Sequence, residues 1–341
     1  MKQKVLNALL GGALLLSAPM FTSCEDILGT WERPSGGSSS GGGSSAGEGV
    51  EYVAYTVSGS TATPSNKTAT TYTEVTSSTT TWAAGTYVVS SDVTIDGNVT
   101  LSGDVELILC DGKTLTVNGS IQTEFDSSYN PINSLAVYAQ SGGTGALVIA
   151  PTVSDTPGIY VKTLDIYGGA ITATGNGAEA GIESSNEMNI YAGTITTTGG
   201  NGIMNYGSNI LSIYNATITA TGTTGNGIQS AAGITMYSGN VTAIGGDAAS
   251  GSNSDGAIAI SVGGADTGTL TVNGGTLNAT GGAKDGTGND GTGISTVNTT
   301  ITLGTGITFY EGDAADATTP VATTPITCSK RYVEITTSTI A

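Results

Sequence analysis

The sequence predicts an all-β fold, a right-handed parallel β-helix in which one chain winds through three short strands per coil. Three observations predict it: a motif that recurs at a nearly constant period, apolar residues that alternate within each copy, and glycine or asparagine at the ends of each run. A period of about 20–25 residues without a helical pattern is typical of solenoids. Crossovers between parallel strands are almost always right-handed, which sets the expected hand.

The repeated motif first reads LDIYGGAITATG, beginning at Leu164. Further copies begin at Met188, Leu211, Ile234 and, less closely, Leu270, so that successive starts are 24, 23, 23 and 36 residues apart. One copy has too few apolar residues to bury a face, so the copies must stack. Equivalent positions are then expected about 4.8 Å apart.

Each copy supplies three strands. In the first copy, Leu164 and Ile166 alternate with a polar residue, and Ile171 and Ala173 do the same in the second run. Alternation with period two predicts half-buried strands. A third short strand follows a glycine-rich turn, as at Gly202-Ile203.

The chain is expected to begin with export signals. Residues 1–23 contain two lysines followed by an apolar run, which is typical of a secretory signal peptide. The residues before Cys24 resemble a bacterial lipobox, so cleavage would leave Cys24 lipidated on its thiol. Glu25-Asp26 resembles the acidic tag of lipoproteins on the outer face of the outer membrane. We therefore expect a lipid anchor there, with the fold facing the exterior; the alternative is an ordinary signal peptide with an incidental cysteine.

The remaining chain is expected to divide into four segments. Residues 24–49 hold Cys24 and a Gly/Ser-rich tether, which suits a fold that must stand clear of a membrane. A Thr-rich cap region is expected over 50–92 and the β-helix over 93–312. Residues 313–341 are expected to cover the last coil, because an uncovered strand edge promotes aggregation.

Composition excludes some functions. The formal net charge is −18, with nine Lys plus Arg and no His, which argues against nucleic acid as a partner. The repeats from 164 to 312 contain one basic residue, Lys284, whereas a polysaccharide lyase usually needs a Lys or Arg base beside clustered carboxylates. Hydrolases need paired carboxylates, and the acids here are scattered. We therefore predict a non-catalytic protein.

Two cysteines remain after lipidation, Cys110 and Cys328. If they lie in the first and last coils, roughly 40 Å separates them at about 4.8 Å per coil. A disulfide needs Cα atoms within about 7 Å. We therefore predict two free thiols, with Cys110 buried.

Four tyrosines occupy the same place in four successive copies and are candidate ligand-binding residues: Tyr167, Tyr191, Tyr214 and Tyr237. Rings about 4.8 Å apart would match a sugar chain, and tyrosine is a good platform for the C–H face of a sugar. The alternative, slightly favoured, is that the rings stack on one another and stabilise the coils.

Two insertions, 246–256 and 282–291, fall at the same turn of two copies, and insertions at one corner often form the binding face of a solenoid. Oxygen side chains in them are candidate calcium ligands: Asp247, Asn253, Asp255, Asp285, Asn289 and Asp290. The favoured alternative is solubilising loop acids, because neither stretch matches a calcium-loop spacing.

The run GTYVVSSDVTIDGNVTLSGDVELILCDGKTLTVNG from Gly85, followed by LxIYxGxITATG copies and GNGI turns, resembles exported bacterial parallel β-helix proteins that bind carbohydrate. These proteins are similar in fold to pectate lyases. The resemblance covers about residues 85–335 and implies binding of a cell-wall or plant-type polysaccharide without turnover. Relatives would have acids for calcium in their Asp-Gly-Ile turns, where this chain has Asn201 and Asn226.

Our leading hypothesis is a monomeric surface lipoprotein that binds a polysaccharide or glycan through the tyrosines or the corner loops. The second is an adhesin or structural spacer at the cell surface. The third is a pectate-lyase-like polysaccharide lyase.

Overall fold

The computed structural model describes residues 49–263, 267–295, 297–313, 319–321 and 325–337. Within these ranges the chain forms strands and no helix, and the strands join in one long, mainly parallel sheet. The all-β class is therefore confirmed. The same ranges hold no helix of sufficient length and apolarity to span a membrane. The predicted signal peptide, Cys24 and nearly all of the tether lie outside the described residues.

The strands in chain order are β1 (Val50–Ser58), β2 (Thr61–Ala69), β3 (Thr73–Glu74), β4 (Thr81–Trp82), β5 (Gly85–Val89), β6 (Val93–Ile95), β7 (Val99–Leu101), β8 (Val105–Leu109), β9 (Thr114–Val117), β10 (Ile121–Thr123), β11 (Leu135–Ala139), β12 (Ala146–Ile149), β13 (Ile159–Ile166), β14 (Ala170–Thr174), β15 (Ile182–Gly199), β16 (Ile203–Asn205), β17 (Leu211–Gly222), β18 (Ile228–Ser230), β19 (Gly233–Met236), β20 (Gly239–Ile244), β21 (Ile260–Val262), β22 (Gly268–Val272), β23 (Thr276–Thr280), β24 (Thr299–Leu303), β25 (Ile307–Gly312), β26 (Thr319–Pro320) and β27 (Tyr332–Thr337).

Three parallel ladders run through the sheet. Ladder A joins β3, β5, β8, β11, the end of β13, the middle of β15, the start of β17, β19, β22 and β24. Ladder B joins β6, β9, β12, β14, the ends of β15 and β17, β20 and β23. Ladder C joins β4, β7, β10, the starts of β13 and β15, β16, β18 and β21. We call one passage of the chain through A, B and C a coil, so that the third strand of each coil lies in ladder C.

The register is the one that the repeat requires. Leu164 lies opposite Met188, and Met188 lies opposite Leu211, so the first residues of three copies stack in ladder A. The arrangement is consistent with the predicted β-helix. Parallel pairing already begins at Thr73, which lies inside the segment predicted as a cap.

One apolar core runs along the coils from Val75 to Ile335. Inward residues alternate with outward ones, as the burial pattern of β9 shows, where Leu115 and Val117 are buried. Large aromatic side chains fill both ends. Trp82 is fully buried and stacks on Tyr87 with ring centroids 5.2 Å apart.

The last described coil is covered by an antiparallel strand. Strand β27 pairs on one side with β23 and on the other with β25. Phe309 and Ile335 are fully buried beneath this pairing. The strand thereby occupies an edge of ladder B that would otherwise be free to pair with another chain.

The N-terminal hairpin, β1 with β2, packs against the outside of ladder A. It forms a second apolar cluster in which Val50 and Tyr72 cover Val88, Ile108 and Cys110. The segment predicted as a Thr-rich cap thus includes a hairpin in which Val50 and Ala69 are buried and the other residues are partly or fully exposed. Its contacts with the tyrosine rows are described below.

Cys328 is free, as predicted, and the structure places it in a buried position. Cys110 is fully buried, as predicted, but the prediction of a free thiol is wrong for it, because it is disulfide-bonded. Spacing along the coils excluded only a bond between Cys110 and Cys328. It carried no information about a partner outside the coils.

Candidate functional site

The four predicted tyrosines form a continuous stack, and the structure adds a fifth ring to it. Ring centroids of Tyr138, Tyr167, Tyr191, Tyr214 and Tyr237 lie 4.4, 4.6, 5.0 and 4.7 Å apart in succession, with interplanar angles of 7° to 15°. Sequence reasoning missed Tyr138, because its coil reads LAVYA and departs from the repeat. Its neighbour Val137 pairs with Ile166, which places Tyr138 beside Tyr167.

We call these five rings the tyrosine ladder. The hairpin covers part of it: Tyr52 meets Tyr138 edge-on at 4.8 Å, and Tyr55 lies parallel to Tyr191 at 6.0 Å. Tyr191 and Tyr214 are only 9% and 8% exposed. Burial raises the pKa of the Tyr191 hydroxyl well above its ordinary value.

The faces of the inner rings are therefore occupied by other rings. This geometry favours a stabilising role over a sugar platform, and glycan binding by the tyrosine ladder stays a prediction. Tyr237 differs from the inner rings. In the next coil the corresponding residue is Asn273, since Met236 pairs with Val272, so no sixth tyrosine covers that end.

The acids of the two insertions hold the loops together. Each of four aspartates accepts a hydrogen bond from a backbone N–H, and in three cases the donor lies in the other insertion. The pairs are Asp247 with Ala283, Asp285 with Asn253, Asp255 with Asn289 and Asp290 with Lys284. Within the described residues no group of three Asp, Glu, His or Cys side chains could hold a metal ion. These bonds give the acids a structural role, and calcium binding stays a prediction.

A shallow groove of about 350 Å³ lies on ladder A between Glu106 and Asp165, where Ala136 leaves a gap. Glu106 accepts a hydrogen bond from the Thr86 hydroxyl, and Asp165 accepts one from the Asn189 amide. Both carboxylates thus already have protein partners. The groove is acidic and has no aromatic lining.

A different group of side chains lies on the outer face of ladder C and at the turn from C to A. We call it the aromatic corner, and it consists of Phe125, Tyr129, Tyr160, Glu183 and Tyr206. Tyr160 and Tyr206 share a hydrogen bond between their hydroxyls at 2.5 Å, and Phe125 packs on Tyr160 with centroids 5.4 Å apart. Phe125 is 40% exposed, Tyr206 36% and Tyr129 85%. Among the described residues, the aromatic side chains exposed to solvent are these three.

A short loop after β10 holds two of these rings. The Asp126 carboxylate accepts hydrogen bonds from the backbone N–H groups of Ser128 and Asn130, and these bonds lower its pKa, with Asn130 contributing most. Phe125 bridges to Pro131 across the loop. Tyr129 lies at the tip with a positive φ of 63°. The loop therefore projects Tyr129 outward on a closed turn.

Glu183 lies between the rings because of the register of ladder C. It pairs with Tyr160 in the preceding coil and with Met204 in the following one, and Tyr206 comes two residues after Met204. Burial, and then the nearby Glu179 carboxylate, raise the pKa of Glu183 to about 7. The side chain therefore exchanges a proton near neutral pH, and can both donate and accept hydrogen bonds there.

Sequence reasoning missed the aromatic corner. Phe125, Tyr160 and Tyr206 occupy different positions of different coils, so no periodic signal connects them. The available signal was Tyr160 placed two residues after Gly158, at the third strand of its coil, where the copies have Glu183 and Met204. Aligning third strands would have brought Glu183 beside Tyr160.

Comparison of the chain with protein-family models, with curated proteins and with solved structures found no match.

Proposed function

We propose that the protein is a non-catalytic, glycan-binding protein of the cell surface, built as a right-handed parallel β-helix and held to the outer membrane by lipid on Cys24. The three parallel ladders and their registers support the β-helix. The apolar leader, the residues before Cys24 and the Gly/Ser-rich stretch support the anchor. The lipid anchor would leave the coils facing the cell exterior. The proposed oligomeric state is a monomer.

The aromatic corner is the observation that carries the binding proposal. Sugar rings present C–H groups on their faces and hydroxyls at their edges, so they are bound by aromatic faces beside polar groups. Phe125 and Tyr206 offer exposed rings, and Glu183 offers a carboxyl group between coils. The tyrosine ladder, by contrast, offers mainly ring edges.

The test is a glycan array probed with the chain from residue 24 to residue 341. Tyr206→Ala is expected to weaken binding by roughly tenfold or more, about 1.4 kcal/mol. Tyr237→Ala tests the uncovered end of the tyrosine ladder. Tyr310→Ala, which removes a tyrosine from strand β25 in neither group of rings, is the matched control. Binding by all three variants is compared after correction for the folded, binding-competent fraction of each.

Four array results separate the proposals. Binding that is lost with Tyr206→Ala supports the aromatic corner, whereas binding lost only with Tyr237→Ala moves the site to the tyrosine ladder. Loss of binding in the presence of a chelator would place the glycan-binding site at the two insertions and would indicate that calcium is bound there. Absence of binding to every glycan would overturn the proposal in favour of an adhesin or spacer.

Catalysis is tested on the polysaccharide that binds. We expect no unsaturated sugar product and no fall in polymer length after prolonged incubation with calcium. Release of an unsaturated product would support the polysaccharide lyase instead.

The anchor is tested by labelling cells with a tagged fatty acid. We expect label on the wild-type chain and none on Cys24→Ser, which should be released from the membrane. A lipidated Cys24 thiol cannot also form a disulfide. The mass of the mature protein under non-reducing conditions therefore distinguishes lipidation from any disulfide of that residue.

A further inference from the structure

We infer that the aromatic corner takes uncharged pyranose units and rejects anionic ones such as uronates. The inference rests on the proposed function, since it names the class of glycan that the same site would bind. It follows from what surrounds Glu183 and from what is missing there within the described part of the chain.

Glu183 lies on the outer face of ladder C between Tyr160 and Met204, and Glu179 lies close enough to act on it electrostatically. Among the described residues, the charged group that shifts the pKa of Glu183 is the Glu179 carboxylate, and no basic side chain shifts it. Lys162 is exposed on β13, two residues after Tyr160, but it is not among the groups that shift the pKa of Glu183. A ligand carboxylate placed between Tyr160 and Tyr206 would therefore meet one or two like charges first.

The side chain of Glu183 is largely covered by protein. Its carboxyl group makes no hydrogen bond to another group of the described residues, although the neighbouring pairs Tyr160–Tyr206 and Ser184–Asn205 are hydrogen-bonded. Its raised pKa shows that the site already disfavours negative charge. A neutral sugar hydroxyl would supply the missing donor or acceptor, whereas a second anion would add to the penalty.

The titratable groups that act on Glu183 or touch the same rings are Glu179 on the preceding turn, Tyr160 on β13 and Tyr206 after β16. Lys162, which also lies on β13, is exposed and keeps its positive charge between pH 6 and pH 8. Burial raises the pKa of both tyrosine hydroxyls, so they stay neutral across the physiological range. Rejection of anions should therefore grow between pH 6 and pH 8, as Glu183 loses its proton.

The experiment uses two probes with one backbone, highly methyl-esterified polygalacturonate, which is nearly neutral, and the same polymer after de-esterification. Binding of the chain from residue 24 to residue 341 is measured at pH 6 and pH 8. At pH 8 we expect the esterified polymer to bind at least about tenfold more tightly than the de-esterified one. At pH 6 the ratio of the two affinities should be smaller. Neutral glucan and galactan are included as further uncharged probes.

The variant Glu183→Gln keeps the shape of the side chain and removes its charge. Glu183→Gln should reduce the ratio of the affinities for the esterified and de-esterified polymers at pH 8, and this ratio should no longer differ between pH 6 and pH 8. Glu74→Gln, which removes one charge from an exposed site elsewhere, should leave the ratio as it is in the wild type. Equal binding of both polymers at pH 8, or tighter binding of the de-esterified one, would overturn this inference and leave glycan binding intact. Binding of no probe and no arrayed glycan would overturn both.

Discussion

The hydroxyls of Tyr160 and Tyr206 share a hydrogen bond although 46 residues separate them in the chain. They belong to coils on either side of Glu183, which pairs directly with Tyr160. The bond is possible because ladder C stacks the third strand of each coil on the one before. An aromatic and acidic site is thereby assembled from parts of the sequence that share no motif.

Stability should fall as pH rises through the pKa of Glu183. The pKa is about 7, above the ordinary value of 4.5, so the folded protein holds this proton more tightly than the unfolded chain does. The resulting stabilisation is fully present below about pH 4.5 and is lost as pH rises past about 7. Glu183→Gln should therefore be more stable than the wild type by roughly 1–2 kcal/mol at pH 8, after allowance for partial exposure, and nearly equal at pH 5.

Denaturant unfolding at the two pH values measures this difference. Asp165 also has a pKa raised by burial, so the wild type alone would not isolate Glu183, whereas the difference from the variant does. Glu74→Gln is the control for net charge. A variant effect of the same size at pH 5 and pH 8 would contradict the assignment.

Replacing Thr197 by valine should stabilise the protein. Thr197 points inward in ladder B, where its neighbours in register are Ala173 and Ala220, and its hydroxyl has no hydrogen-bond partner within the described structure. Valine keeps the shape and removes the unsatisfied group, so the free energy of unfolding should rise by about 0.5–1 kcal/mol. Thr196→Val, on the exposed side of the same strand, should change it by less; a destabilised Thr197→Val would show that the hydroxyl is satisfied.

The tyrosine ladder should be more costly to interrupt in its middle than at its end. Tyr191 contacts rings on both faces and is also covered by Tyr55, whereas Tyr237 contacts one ladder ring. We expect Tyr191→Ala to cost about 3–4 kcal/mol and Tyr237→Ala about 1–2 kcal/mol in thermal or denaturant unfolding. Equal costs would mean that stacking along the ladder adds little to burial.

The hairpin should be able to open without unfolding the coils. Tyr52 is one of its main contacts with the coils, through Tyr138, and backbone pairing between β1 and β11 is limited to Val53 with Ala139. Tyr52→Ala should increase amide hydrogen exchange in residues 50–69 by roughly tenfold while exchange in β13 to β17 stays unchanged. Faster exchange throughout the coils would indicate that the hairpin is part of one cooperative unit.

The sequence was sufficient for the ladders because they repeat. Leu164, Met188 and Leu211 begin three copies at nearly equal spacing, and stacking copies can bury their apolar residues in only one register. The same regularity located four of the five ladder tyrosines. Tyr138 was missed because its coil has no copy of the motif around it.

The aromatic corner and the hairpin were not predictable in this way. Tyr160 and Glu183 differ in chemistry although they share a position, so a search for repeated residues passes over them. The hairpin packs by matching an outward apolar row, Val88 and Ile108, to a separate pair of strands. Alternation within a strand shows which residues face outward but not what covers them.

The direction of β1 determines how a pulling force would be distributed over the coils. Tyr52 and Tyr55 are three residues apart, yet they contact Tyr138 and Tyr191, which belong to coils separated by one between them. Three residues of extended chain span about 10 Å, close to the height of two coils, so β1 runs along the stack and across its strands. A force applied at Gly49 therefore loads several coils at once in shear. Under tension from that end, the contacts between the hairpin and the coils must break before the first coil can unfold.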